Sequence, residues 1–452
     1  MMMISRFGPS WTARRRSRKL AAAAGAAAAA LLLSACGAGA SSTSLNASAQ
    51  PKTKAKTVDI TYWSSDTQSE MNYLDAHFNA SHPGMVVKGE YIASADDTTA
   101  KVVAALKTGT EPNVLLGQDP ADLPFFAESG KLVYLNGKMT SLTNGLYPGI
   151  RKALFYKGHQ LGMALAGVGD VALFYNKKDF AAAGIAKPPA TLTELAADAI
   201  KLTDPSKHLY GIYVPLGTSE WISYDWEMWL WANGGHFMNA NDTKTAFDSP
   251  AGVDALTAWY DLIRKDHAAP TTSYAEAGSY DGSNAFAGND VAMVVDGAWA
   301  VAPSQSAHLD FGVAPFPRGA KGEATNIGIG VAAEFDHGPA ADDVATAFIK
   351  WLAEPAQGAY LAAESGGLPS SPAQDGQPAL RKEEKSFFGY SVFAGELKYG
   401  HVRPSIPSYS SISQDLYDEI NACLTGHVSP AAALAKASAE GNRAVLAGGG
   451  NS

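Results

Sequence analysis

The chain has 452 residues, 46% hydrophobic and 17% charged, with 9 Trp, 18 Tyr and 17 Phe; that is enough apolar material for two or three cores, which excludes a disordered chain and a disulfide-stapled miniprotein. The formal charge is −9, but Arg6, Arg14, Arg15, Arg16, Arg18 and Lys19 all precede the first acid, Asp59, and without those six the rest holds 29 bases against 44 acids, a charge of −15. So acidic a body repels phosphate backbones and argues against a nucleic-acid partner.

Behind the basic cluster, Leu20 to Leu33 is a run of 14 apolar or glycine residues, the order of an export signal. As a helix it spans only ~21 Å at 1.5 Å per residue, short of a ~30 Å hydrocarbon core. The run ends Leu33-Ser34-Ala35-Cys36-Gly37, which resembles a bacterial lipobox. Residues 1–36 therefore read as a lipoprotein signal segment with Cys36 as the lipid attachment; the alternative is an ordinary signal peptide cut near Ala40. Residues 37–56, without apolar periodicity, read as a flexible tether. The only other cysteine is Cys423, so lipidation of Cys36 leaves no intramolecular disulfide. No later stretch holds 18 consecutive apolar residues. The expected product is an exported, membrane-anchored lipoprotein on the extracytoplasmic face, a monomer that meets the membrane only through its lipid.

In the body, Val58 to Trp63 alternates and is rich in β-formers, which predicts a strand. Thr67 and Glu70 have capping-box spacing, and Met71, Leu74 and Phe78 recur on one helical face. A strand over Met85 to Ile92 follows His82-Pro83-Gly84, then a helix around Asp97 to Lys107 that stops at Gly109, then a short strand over Asn113 to Leu116. Such alternation is the signature of a parallel α/β sheet. It resumes with a strand at Leu173-Phe174-Tyr175, a helix from the Thr191 and Glu194 cap to about Leu202, and a strand over Leu209 to Val214. The repetition predicts two α/β lobes, with the charge-free stretch Gly162 to Gly169 as a crossing strand or hinge. The glycine-rich end should be frayed.

Five aromatic residues, Trp221, Tyr224, Trp226, Trp229 and Trp231, crowd one helix that Thr218 or Ser219 can cap and Asn233-Gly234 can end. At about 100° per residue the rings point all around it, so most belong to the core. Trp221 and Tyr224, in the first turns, are the candidates for a ligand face, with Glu220 and Asp225 near enough to accept hydroxyl protons. Trp299 follows Val294-Val295-Asp296-Gly297-Ala298 just past a strand end, where ligands collect in α/β proteins; core packing is its alternative role. Similar logic marks Ser64, Ser65 and Asp66 after the first strand, and Gln118 and Asp119 after the strand at Asn113, with helix capping as the alternative. There is no G-x-S-x-G, P-loop or H-E-x-x-H, Gly328-Ile329-Gly330 lacks a third glycine, and the 10 histidines are scattered. The sequence therefore predicts no catalytic residue, no metal and no cofactor.

Taken in order, the strings Ile60-Thr61-Tyr62-Trp63-Ser64, Leu106-Lys107-Thr108-Gly109-Thr110-Glu111-Pro112-Asn113-Val114, Leu173-Phe174-Tyr175-Asn176-Lys177, Phe286-Ala287-Gly288-Asn289-Asp290-Val291-Ala292-Met293 with Gly297 and Trp299, and Arg403-Pro404-Ser405-Ile406-Pro407 carry a resemblance. Over nearly all of residues 58 to 440 the chain resembles the extracellular solute-binding lipoproteins of bacterial ABC importers, in the group that includes maltose-binding protein. The resemblance implies a two-lobed periplasmic-binding-protein-like clamp with discontinuous lobes, 57–167 with 328–370 and 169–326 with 375–446, joined by a hinge and followed by a tail at 447–452. It implies a carbohydrate, a mono- or oligosaccharide, held between the lobes and delivered to the membrane subunits of an ABC importer. Carried over by position, the ligand contacts are Ser65, Asp66 and Asp119 from the first lobe and Trp221, Tyr224 and Trp299 from the second. The alternatives are a secreted carbohydrate-active hydrolase using the same cleft, and a receptor for a polyol or a glycerophosphodiester.

Overall fold

The computed structural model describes residues 57–65, 67–92, 95–165, 169–272, 281–365 and 367–448. Cys36, the tether, Asp66 and residues 449–452 lie outside them.

Twelve strands occur in the described chain: β1 (Val58–Ser64), β2 (Met85–Tyr91), β3 (Val114–Gln118), β4 (Phe155–Tyr156), β5 (His159–Gln160), β6 (Met163–Ala164), β7 (Gly169–Asn176), β8 (Met293–Gly297), β9 (Phe311–Ala314), β10 (Thr325–Gly328), β11 (Val331–Glu334) and β12 (Gly400–His401). One sheet has the order β2-β1-β3-β11-β6, with β1 parallel to both β2 and β3 and β11 antiparallel to β3 and β6. The second has the order β12-β10-β7-β8, and β9 also pairs with β7. β4 and β5 form a separate hairpin. The fold is thus an α/β clamp of two lobes, one built on each sheet. The chain passes from the first sheet to the second between β6 and β7 and returns between β10 and β11.

Local sequence explains the first lobe well. The Thr67 hydroxyl accepts from the Glu70 N–H and the Glu70 carboxylate accepts from the Thr67 N–H, so both halves of the capping box form at the start of helix Gln68–Ser81. Met71, Leu74 and Phe78 are its buried face. Phe78 meets Phe348 and Trp351 of helix Pro339–Ala353 edge-on at 5.0 and 5.7 Å, and Tyr62 of β1 lies 5.1 Å from Phe348. Gly89 on β2 is required there, because a Cβ would come within 2.7 Å of both the Tyr62 ring and the Met71 methyl.

The second lobe is held by the tryptophan helix, Glu220–Ala232. Ser219 caps it, its hydroxyl accepting from the Trp221 N–H. As the periodicity predicts, the rings point around the axis: Trp226 is buried against Phe247, Trp229 against Trp259 and Phe316, and the partly exposed Trp231 stacks on His401. Helices Pro250–Tyr260 and Tyr409–Leu424 pack against it, and Pro430–Gly448 packs against both of these. Cys423 sits in this core, where burial pushes its thiol up to about 12 and keeps it protonated.

One element differs from expectation. Leu209 to Val214 forms no strand, only two isolated bridges, Leu209 to Asp204 and Tyr210 to Val291, with the Tyr213 N–H donating to the Met293 carbonyl of β8. The Gly211 and Ile212 N–H groups turn instead to the Ala268 carbonyl, and Gly211 lies so close to helix Leu192–Leu202 that a Cβ would fall 1.8 Å from the Ala199 oxygen. The contact with the helix takes the backbone away from a regular ladder.

Candidate functional site

The carboxyl ends of β3 and β8 and the start of the tryptophan helix bring four of the six candidate ligand residues into one connected group. Gly117 in β3 has a φ of +76°, a left-handed value that glycine alone adopts without strain, and its Cα lies against Gly330, at the return crossing. This turn delivers Gln118 and Asp119 to the cleft. One Asp119 carboxylate oxygen accepts from the Ala121 N–H at 2.8 Å, fixing the side chain on its own loop. The other accepts from Arg403 Nη2 at 2.5 Å.

In the sequence Arg403 is only the first residue of the Arg403-Pro404-Ser405-Ile406-Pro407 string, and the structure makes it central. Its Nη1 donates to Glu220 Oε1, and that same oxygen accepts from the Tyr409 hydroxyl at 2.7 Å. The guanidinium lies over two rings, 4.8 Å from the centre of Tyr224 and 5.8 Å from that of Tyr409. Burial works against its charge, but Asp119 and Glu220 hold the guanidinium more firmly protonated than usual. Burial likewise pushes the Asp119 carboxyl up, with Arg403 opposing it.

From Tyr224 the group continues as an aromatic surface. Trp221 stacks on Tyr224 with centroids 5.2 Å apart and planes 20° apart, and Trp299 meets Trp221 edge-on at 5.8 Å. Trp299 belongs to a short 3-10 turn, Ala298–Ala300, directly after β8, and its indole lies over Gly297, where a Cβ would come within 2.4 Å of three ring atoms. Trp221 and Tyr224 are nearly buried, and Trp299 keeps partial exposure.

Other expectations are sorted differently. Ser65 is partly exposed at the end of β1, its Oγ 3.9 Å from where a Gly117 Cβ would sit, so it lies at the same sheet edge but outside the connected group. Asp66 lies outside the described residues. Asp225 does not face the cleft: it is 3% exposed, and burial, followed by the charge of Asp296, raises its pKa well above the usual carboxylate range. Gln118 donates to Thr99 Oγ1 at 2.9 Å and to Asp122, whose other oxygen accepts from Ser410 at 2.8 Å. Asp122 was not singled out by sequence, yet burial and the neighbouring charges of Glu220 and Asp119 push its carboxyl up to about 7. Behind the aromatic surface, Asn326 donates to the Tyr224 carbonyl at 3.0 Å and to Glu227 at 3.1 Å, fixing the backbone that carries the ring.

The aromatic rings and Arg403 thus belong to the second lobe, and Asp119 of the first lobe closes onto them. The sequence model for bacterial extracellular solute-binding protein matches residues 63–359. The chain belongs to this family. A curated relative, the maltotriose-binding protein of Pyrococcus abyssi, is 27% identical over 305 residues, which are 65% of this chain and 62% of that protein, so the match spans less than two thirds of the relative's length. Among solved structures, the cyclic α-maltosyl-1,6-maltose binding protein of Arthrobacter globiformis is 26% identical with a TM-score of 0.72, covering 87% of this chain and 100% of that one. A solute-binding protein from Agrobacterium radiobacter in complex with ribitol is 26% identical with a TM-score of 0.72, covering 86% of this chain and 99% of that one. Among the described residues, no helix is long and apolar enough to cross a membrane.

Proposed function

We propose that this solute-binding protein is a receptor for an uncharged carbohydrate, a mono- or oligosaccharide, which it holds between its lobes and delivers to the membrane subunits of an ABC importer without altering it chemically. The carrying observation is the continuous surface Trp299–Trp221–Tyr224, ending on polar groups of both lobes. Pyranose rings present CH groups on one face and hydroxyls at the rim, and a site of flat apolar rings with a few fixed polar groups matches that pattern. Trp221, Tyr224 and Trp299 stack on the sugar, while Ser65, Asp66 and Asp119 receive its hydroxyls. The lobes comprise 57–167 with 328–370 and 169–326 with 375–446, and Cys36 carries the lipid that holds the exported protein at the membrane.

The charge of the site favours a neutral solute. Arg403 is already paired with two carboxylates, Asp119 and Glu220, which neutralise its charge and leave little net attraction for a phosphate. That disfavours a glycerophosphodiester. A polyol satisfies the same charge argument, but it has no ring face to lie against the partly exposed Trp299. A hydrolase requires two carboxyls placed either side of a glycosidic bond, whereas Asp119 and Glu220 here are both joined to Arg403.

A panel of mono- and oligosaccharides, polyols and glycerophosphodiesters, read by thermal stabilisation and by chromatography of the recovered ligand, tests this function. Stabilisation by sugars that are recovered intact is expected. Cleavage products, or stabilisation by the phosphodiesters alone, overturn it.

A further inference from the structure

We infer that Arg403 is an interlobe latch, a positioning residue that holds the clamp closed before any solute arrives. The inference rests on the clamp reading and not on the identity of the solute. Arg403 follows β12, the edge strand of the second sheet, and its Nη1 donates to Glu220 at the start of the tryptophan helix of the same lobe. That bond, with the rings of Tyr224 and Tyr409 close to the guanidinium, fixes it on the second lobe. Nη2 then reaches across to Asp119, beyond β3 of the first sheet, at 2.5 Å. The Asp119 carboxylate is itself fixed by the Ala121 N–H. Both partners are therefore preorganised, and their meeting orders little that is not already ordered.

Two further contacts surround this bond. Ser410 Oγ, on the helix packed against the tryptophan helix, donates to Asp122 at 2.8 Å, and Ser405 Oγ donates to the Ala153 carbonyl at 3.2 Å. Both are single bonds from a hydroxyl, whereas Arg403 to Asp119 is the ion pair of the set, with side-chain exposures of 9% and 11%. In so dry a place a charge-assisted bond is stronger than a neutral one. Opening the lobes separates Arg403 from Asp119 but leaves Arg403 with Glu220, so the arginine is never stranded without a partner. A carboxylate that pairs in the closed form alone biases the two-state equilibrium of the clamp toward closure.

The test compares the full-length chain with Arg403→Gln, Asp119→Asn, the double variant and Glu220→Gln, each by X-ray scattering without solute and each by thermal melting. The expected result is a larger ligand-free radius of gyration for Arg403→Gln and for Asp119→Asn, equivalent to about a tenfold or greater shift toward the open form, with melting temperatures that show folded protein. The double variant should open no further than either single one, since one bond is lost in all three. If Arg403→Gln does not fold, Asp119→Asn decides, because it spares the arginine and its bond to Glu220. An unchanged radius for folded Asp119→Asn overturns the latch, as does additive opening in the double variant. Because the scattering is recorded without sugar, a failed sugar panel leaves this outcome readable and the two readings fail separately.

Discussion

Trp299 lies edge-on to Trp221, with centroids 5.8 Å apart and planes at 73°, so two rings that are 78 positions apart in the chain form the corner of one surface. One ring comes from the turn after β8 and the other from the first turn of a capped helix. If Trp299 contributes its face to a sugar, Trp299→Ala removes buried ring area and aromatic-specific attraction, roughly 2 to 4 kcal/mol. That corresponds to about 30- to 1000-fold weaker binding. Titration calorimetry with the best sugar of the panel, beside a melting curve, checks it. Normal affinity in a destabilised protein assigns the ring to the core.

Gly297 is the reason the tryptophan can lie where it does. Its φ of −88° suits any residue, so the requirement is one of space: an added methyl would fall 2.2 Å from the indole. Gly297→Ala should push the ring off its seat and weaken sugar binding about tenfold or more, at a folding cost of roughly 1 to 3 kcal/mol for overpacking. In a Trp299→Ala background the same change should have almost no further effect on affinity, since there is no ring to displace. Independent losses from the two substitutions would refute the steric account.

Much of this arrangement was legible in the sequence, because it depends on local rules. The Thr67 cap, the all-round burial of the tryptophan helix and the placing of Trp299 past a strand end follow from spacing within a few residues. Arg403 was not legible as a site residue: its partners Asp119 and Glu220 are 284 and 183 positions away, and no periodicity reports a contact between residues so distant. Asp122 was missed for a related reason. Its environment is made by Ser410 and Glu220 of the other lobe, so sequence shows only an acid at the head of a short helix. The misplaced strand at Leu209 to Val214 failed at Gly211, whose close approach to Ala199 is a tertiary event.

The lipobox-like run Leu33-Ser34-Ala35-Cys36 gives a prediction independent of the cleft. Cys36→Ala should remove the lipid and release the protein from the membrane fraction, with sugar binding intact. Mass spectrometry of the N-terminal peptide and detergent partitioning read it out. Retention of an unlipidated protein in the membrane fraction would refute the anchor.

Asp122 gives the pH dependence its sign. Burial and the charges of Glu220 and Asp119 push its carboxyl up to about 7 in the folded protein, against about 3.9 in the unfolded chain. Below about pH 4 both states hold the proton, and the group contributes no pH dependence. Between about pH 4 and 7 the folded state keeps a proton that the unfolded chain has released, so stability falls as pH rises. Above about pH 7 both states are ionised and the full cost of the buried charge is present. Asp122→Asn keeps an oxygen to accept from Gln118 and an N–H to donate to the Ser410 hydroxyl, but it carries no charge. The variant should match the wild type near pH 4 and exceed it at pH 8 by roughly 2 to 4 kcal/mol. Urea unfolding at pH 4.5, 6 and 8 measures this difference, and parallel pH profiles for the two proteins would show that Asp122 is ionised throughout and held by its two hydrogen bonds instead.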